Sequence, residues 1–145
     1  MSQSFTGSCL CKNITYRIDL PASEPVPEIV LCHCTNCKHY TGSGFSANII
    51  VPQTSLNFTE GTPKLYLDRN DRGGQVRRTF CANCGSPLTS QPSGEDRMIV
   101  VKSGTLDDES RANCGKLSME IYHQRKDRWT DALGQEGVQR INGMW

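Results

Sequence analysis

The chain has no long apolar run and no bias of charge. Its 16 Lys and Arg against 15 Asp and Glu leave a formal net charge of +1 over 145 residues. The first lack gives no sign of a membrane-spanning helix. The second, with both signs interspersed, removes the field that would draw nucleic acid or anionic lipid. The N-terminal Met1-Ser-Gln-Ser-Phe-Thr-Gly7 carries neither the charged nor the apolar region of a secretory signal, so a soluble protein of the cytoplasm is expected. Repeats and low-complexity linkers are missing too. The Pro-rich stretch Leu20-Pro-Ala-Ser-Glu-Pro-Val-Pro27 is too short to separate domains, and a single domain over residues 1–145 is expected, long enough for one core.

Helical periodicity is also scarce: no window of a dozen residues holds an apolar stripe at helical spacing. Strand periodicity takes its place. Ile14, Tyr16 and Ile18 alternate with Thr15 and Arg17. The segments Phe45–Val51, Lys64–Leu67, Val76–Phe80 and Met98–Lys102 are short, β-branched or aromatic, and bounded by Gly, Pro, Asn or Asp. Short helical turns are expected after Cys34, near Asp107-Asp-Glu109, whose carboxylates suit a helix N-terminus, and around Asp127–Leu133. The fold class is mainly β, built from many short strands.

Cysteine is what the chain has in excess. Seven of its eight cysteines fall into Cys9-Leu-Cys11, Cys32-His-Cys34-Thr-Asn-Cys37 and Cys81-Ala-Asn-Cys84. Four disulfides would suit a secreted scaffold but fit poorly in a reducing compartment, whereas short-spaced thiols are the usual ligands of tetrahedral zinc. If Cys9 and Cys11 lie on an extended segment, both sulfurs share a face. Cys81 and Cys84 suit a tight turn, with Gly85 supplying an unusual backbone angle. Cys32 and Cys34 share a face in the same way, and Cys37 returns on the next turn. Three thiolates leave a zinc position open to water, to a substrate, or to His33, His39, Cys114 or His123. The histidines read better as packing or surface residues, and Cys114 as a free thiol. Zinc with three thiolates is a weak Lewis acid but can hold an incoming thiol as thiolate, which points to sulfur chemistry.

The motifs Gly7-Ser-Cys-Leu-Cys-Lys-Asn-Ile-Thr-Tyr16, Cys32-His-Cys-Thr-Asn-Cys-Lys-His-Tyr-Thr-Gly42, Phe80-Cys-Ala-Asn-Cys-Gly-Ser-Pro-Leu88, Lys102-Ser-Gly-Thr-Leu-Asp-Asp108 and Glu120-Ile-Tyr122 followed by Trp129 stand in the order found in one family. In them the chain resembles the glutathione-dependent formaldehyde-activating enzyme (GFA) family over essentially its whole length. The resemblance implies a zinc-binding β fold like that of the methionine-R-sulfoxide reductases. It implies two zinc ions, one structural on Cys9, Cys11, Cys81 and Cys84, one labile on Cys32, Cys34 and Cys37. It also implies a carbon–sulfur lyase joining formaldehyde to glutathione as S-hydroxymethylglutathione.

Two positions depart from the pattern. Lys12 stands where Gly is common, suggesting a less strained turn, and Glu120 where His is frequent, suggesting a changed polar group near the site. Catalytic and substrate-binding residues beyond the ligands are not assigned. Arg77, Arg78, Lys102 and Arg125 are conceivable partners for glutathione's two carboxylates, with at most one of Arg77 and Arg78 facing a shared pocket, but each reads first as a solvated surface charge. Tyr122 and Trp129 read as core residues, and Gly42 and Gly44 as places where a ligand could approach the backbone. The alternatives are a non-catalytic zinc module for protein interaction, and the same chemistry on another thiol.

Overall fold

A computed structural model describes residues 2–144, in which ten strands form two sheets. In the smaller, antiparallel sheet, β1 (Ser2–Ser8) and β5 (Leu56–Glu60) flank β2 (Thr15–Pro21). The larger sheet runs in the order β10 (Leu117–Ile121), β3 (Ile29–Cys32), β4 (Ser46–Pro52), β9 (Met98–Lys102), β8 (Pro87–Pro92), β7 (Gln75–Phe80), β6 (Lys64–Arg69). Its neighbours are antiparallel except β10 and β3, which run parallel. Helix α1 (Thr35–Thr41), helix α2 (Asp108–Ala112) and a 3-10 turn over Arg128–Ala132 lie at the three expected helical places. The mainly β class holds.

Alternation decides what each sheet face does. On β2, Tyr16, Ile18 and Leu20 turn inward and Arg17 and Asp19 outward. They meet Ile49 and Val51 of β4, and Ile99 and Val101 of β9, in one core with Phe5, Ile14, Leu88 and Leu106. Each aliphatic side chain fully buried there contributes about 1.5–3 kcal/mol.

The opposite face of the larger sheet follows from the same register. Cys32 pairs with Ser46, Val30 with Asn48, Asn48 with Lys102, Val100 with Ser90, and Ser90 with Arg78. Partners directly opposite in a ladder share a face, so these polar groups from five strands gather on one surface. Helix α1 leaves the end of β3 beside it and adds Cys34 and Cys37. The Cys34 sulfur caps the helix by accepting from the Cys37 N–H at 3.3 Å, and Gly42 closes it in the left-handed conformation at φ 64°.

Candidate metal centre and the adjoining cavity

Two groups of sulfurs converge. The Sγ atoms of Cys9, Cys11, Cys81 and Cys84 all lie within 4.8 Å of one another, and so do those of Cys32, Cys34 and Cys37. All eight cysteines are free thiols.

In the four-cysteine group, Cys9 to Cys11 is 3.6 Å and Cys11 to Cys81 is 3.7 Å. A tetrahedron with metal–sulfur bonds of about 2.3 Å has edges of about 3.8 Å, so the donor set fits a closed site. The surroundings supply donors to sulfur: the Ile14 N–H reaches Cys9 at 3.3 Å, and Ser86 Oγ lies 3.2 Å from Cys84. Burial pushes the Cys9 thiol up to about 11, while the Ser86 hydroxyl and backbone hydrogen bonds bring Cys84 down to about 5.

The expected local geometry is met at one end and corrected at the other. Gly85 has φ 77° and its N–H caps the Cys81 carbonyl at 2.8 Å. Cys9–Cys11, however, is a turn rather than an extended segment, closed by Lys12 N–H to Cys9 O at 3.1 Å and Cys9 N–H to Ile14 O at 3.0 Å. Lys12 does not relax that turn. It sits at φ 62°, one of two non-glycine residues with positive φ among the described residues, so the demand that favours Gly persists under a β-carbon.

The three-cysteine group lies in the wall of a cavity of about 170 Å³, and none of the other four ligand-type cysteines lines it. Among the described residues no fourth His, Cys, Asp or Glu atom joins the group. Hydrogen bonds from the Cys32 and Cys34 thiols, with the charge of Lys102 adding to them, hold Cys37 well below the ordinary thiol range. Hydrogen bonding with Cys34 and Cys37, together with burial, drives Cys32 well above it. The three thiols therefore titrate as one coupled group.

The cavity is walled by polar groups that the register delivers. Arg78, 5% exposed, gives Nε to Asp68 at 2.7 Å, Nη1 to Ser90 Oγ at 3.2 Å and Nη1 to Cys37 Sγ at 3.8 Å. Lys102, also 5% exposed, donates Nζ to Asn48 Oδ1 at 2.8 Å. Burial pushes its ammonium down to about 8, against the pull of the Cys37 thiolate. Both cations stand over the Tyr40 ring, at 4.9 and 5.5 Å from its centroid. Arg125 borders the cavity, paired with Asp71 and lying 5.3 Å from the Tyr122 ring centroid.

These placements sort the candidates read from sequence. Arg78 faces the cavity and Arg77 is exposed, as alternation requires, but Arg78 and Lys102 are buried rather than solvated. Tyr122 is half-buried with φ 52° and lines the cavity instead of joining the core. Trp129 is 56% exposed, outside the core, and its ring covers Gly44, where a β-carbon would stand 2.3 Å from it. Gly44 thus makes room for a side chain of this chain, and Gly42 serves as a helix cap.

Of the alternative fourth ligands, His33 is fully buried and turned away, its Nε2 2.9 Å from Glu120 Oε1, which gives the departure at Glu120 a structural partner. His39 and His123 are exposed. Cys114 packs against the core, with its sulfur 3.5 Å from the Ser110 carbonyl, and belongs to neither group. Asn48, Ser46, Ser90 and Asp68 escape a reading by chemistry-bearing motif. Polar Asn48 within the apolar run Ala47–Val51 is the one signal that marks this face.

The model of the glutathione-dependent formaldehyde-activating enzyme family matches residues 4–125. The chain belongs to that family. Within the GFA match lie all seven clustered cysteines, Lys102 and Arg125, while Trp129 falls beyond it. A crystal structure of a Rhodobacter sphaeroides protein, a structural-genomics target, superposes with a TM-score of 0.58 at 17% identity. The alignment covers 80% of this chain and 99% of that one, and the likeness is one of fold. No curated protein matches the chain. Among the described residues no helix is long and apolar enough to cross a membrane.

Proposed function

We propose that this GFA-family chain is a zinc-dependent carbon–sulfur lyase that forms or cleaves the adduct of a thiol, glutathione by its family, with a small aldehyde such as formaldehyde. It works as one domain over residues 1–145 in the cytoplasm, where thiols stay reduced. The observation that carries the reading is the contrast between the two cysteine groups. Four sulfurs close a site away from the cavity, and three, with no fourth donor among the described residues, belong to the cavity wall. An interaction module would have no need of a cavity walled by buried cations.

Cys9, Cys11, Cys81 and Cys84 would hold a structural zinc, and Cys32, Cys34 and Cys37 a second one. Zinc in the three-cysteine site supplies a place where a thiol is kept as thiolate near neutral pH. The remaining work falls to side chains. Arg125, partly exposed at 35% beside its partner Asp71, would take a carboxylate of the thiol. Arg78, tied to Asp68 and Ser90, fixes the Cys37 sulfur. In the forward direction sulfur bonds to the carbonyl carbon, the carbonyl π pair moves to oxygen, and that oxygen takes the proton given up by the thiol. Cleavage reverses these steps.

The test is the appearance of S-hydroxymethylglutathione, followed by proton NMR, from formaldehyde and glutathione with the zinc-loaded protein. Acceleration over the uncatalysed rate, lost in Cys34→Ser, is expected. An unaccelerated rate, or one indifferent to that substitution, rejects the lyase.

A further inference from the structure

The cations around the cavity are not equivalent. Arg78 is paired with Asp68 and Arg125 with Asp71, whereas Lys102 takes part in no carboxylate pair among the described residues. Its ammonium is held by a neutral amide oxygen, Asn48 Oδ1, and lies over the Tyr40 ring. Asn48 cannot turn away, because its NH₂ group donates to the Val30 carbonyl, the Ser46 carbonyl and Ser46 Oγ at 3.1, 3.1 and 3.0 Å. A buried ammonium without a countercharge is expensive. Within the cavity wall both carboxylate-paired arginines are already matched, which leaves the sulfurs of Cys32, Cys34 and Cys37 as the charge that answers Lys102.

The charge count then favours an addition. Three thiolates around a divalent ion carry one net negative charge, and Lys102 brings the assembly to neutrality. An incoming thiolate restores a single negative charge, whereas without Lys102 it would have to build up two in a site of low polarity. We propose that Lys102 is a positioning residue for the incoming sulfur: its positive charge lets the three-cysteine site accept a fourth, anionic sulfur ligand whatever else the thiol carries. This rests on the thiol-handling reading of the site, and it separates Lys102 from Arg125, which would read the thiol's carboxylate.

The experiment loads the protein with Co²⁺ and titrates it with glutathione and with 2-mercaptoethanol, which has no carboxylate, reading the sulfur-to-cobalt charge-transfer absorbance. Lys102→Gln keeps a donor for Asn48 and removes the charge. Asn48→Asp leaves Lys102 in place and neutralises it with a carboxylate, so it tests the same point should Lys102→Gln fail to fold. Both variants are expected to weaken both thiols by about tenfold or more, with Lys102→Arg recovering most of the loss. Weakening of glutathione alone would make Lys102 a carboxylate reader and overturn the proposal, leaving the lyase reading intact. Unchanged affinity for both thiols overturns it as well. A wild-type protein that takes 2-mercaptoethanol but not glutathione removes glutathione as substrate while the variants still decide the role of Lys102. A wild-type protein that takes neither thiol rejects both readings.

Discussion

Asn48 and Lys102 are cross-strand partners on β4 and β9, and the amide oxygen of the first accepts the ammonium of the second at 2.8 Å with both residues buried. Removing the acceptor leaves a buried ammonium unsatisfied. Asn48→Ala is expected to cost about 1–3 kcal/mol, measured by urea denaturation of the metal-loaded protein. The coupling is tested by adding Lys102→Met. If the pair is the reason for the loss, the double variant is less destabilised than the sum of the two single ones. Additive losses would show that Asn48 acts through its bonds to Val30 and Ser46 alone.

The two cysteine groups should behave differently on metal removal. A graded chelator titration is expected to take the ion of the three-cysteine group first, because that group borders the cavity and offers three sulfurs, and to leave the fold standing. Loss of the second ion should coincide with unfolding, since Cys9 and Cys81 lie in the core cluster and the energy of binding there is energy of folding. Circular dichroism recorded beside metal content checks this. A cooperative melt that survives complete metal removal would contradict the structural assignment. Protons compete for thiolates, so both ions should be released as the pH falls, with the same order kept.

Lys12 gives a stability prediction of the opposite sign. Holding an L-residue with a β-carbon at φ 62° costs about 1–2 kcal/mol, some of which glycine returns through its freer unfolded chain. Lys12→Gly should therefore stabilise the protein by up to about 1 kcal/mol, seen as a higher urea midpoint at unchanged slope. A lower midpoint would mean that the lysine side chain contributes more than its backbone conformation costs.

The class of fold and the cysteine clusters were legible because they depend on short-range pattern. Alternation marked β2, and short β-branched or aromatic runs between turn residues marked β4, β6, β7 and β9. Cysteine spacing marked the three clusters, while the joining of Cys9 and Cys11 to Cys81 and Cys84 came from the family resemblance. Strands β1, β3, β5, β8 and β10 were harder to read for physical reasons. Strand β1 is Ser-Gln-Ser-Phe-Thr-Gly-Ser, polar throughout except Phe5, and it is a strand because β2 lies beside it. Strand β3 has four residues and runs straight into the cysteine cluster. The cavity was illegible for a related reason. Asn48, Ser90 and Arg78 meet only through the register of β4, β9, β8 and β7, and no window of sequence contains that register. The burial of Lys102 was hidden likewise, since its motif looks like any strand ending in a surface lysine.

Arg78 and Asp68 supply the last prediction. Their side chains are 6% and 18% exposed and joined at 2.7 Å, with Arg78 also bonded to Ser90 and reaching Cys37. Asp68→Ala strands a buried guanidinium and is expected to cost about 3–5 kcal/mol. Asp68→Leu with Arg78→Met removes both charges together and should regain most of that stability, because neither ion then has to be desolvated. Stability and site function separate at this point. The double variant, though folded, has lost the N–H donor to the Cys37 sulfur, so its cavity metal should exchange faster with a chelator while the four-cysteine metal exchanges as before. Equal exchange in the double variant and the wild type would make Arg78 a purely structural ion-pair residue.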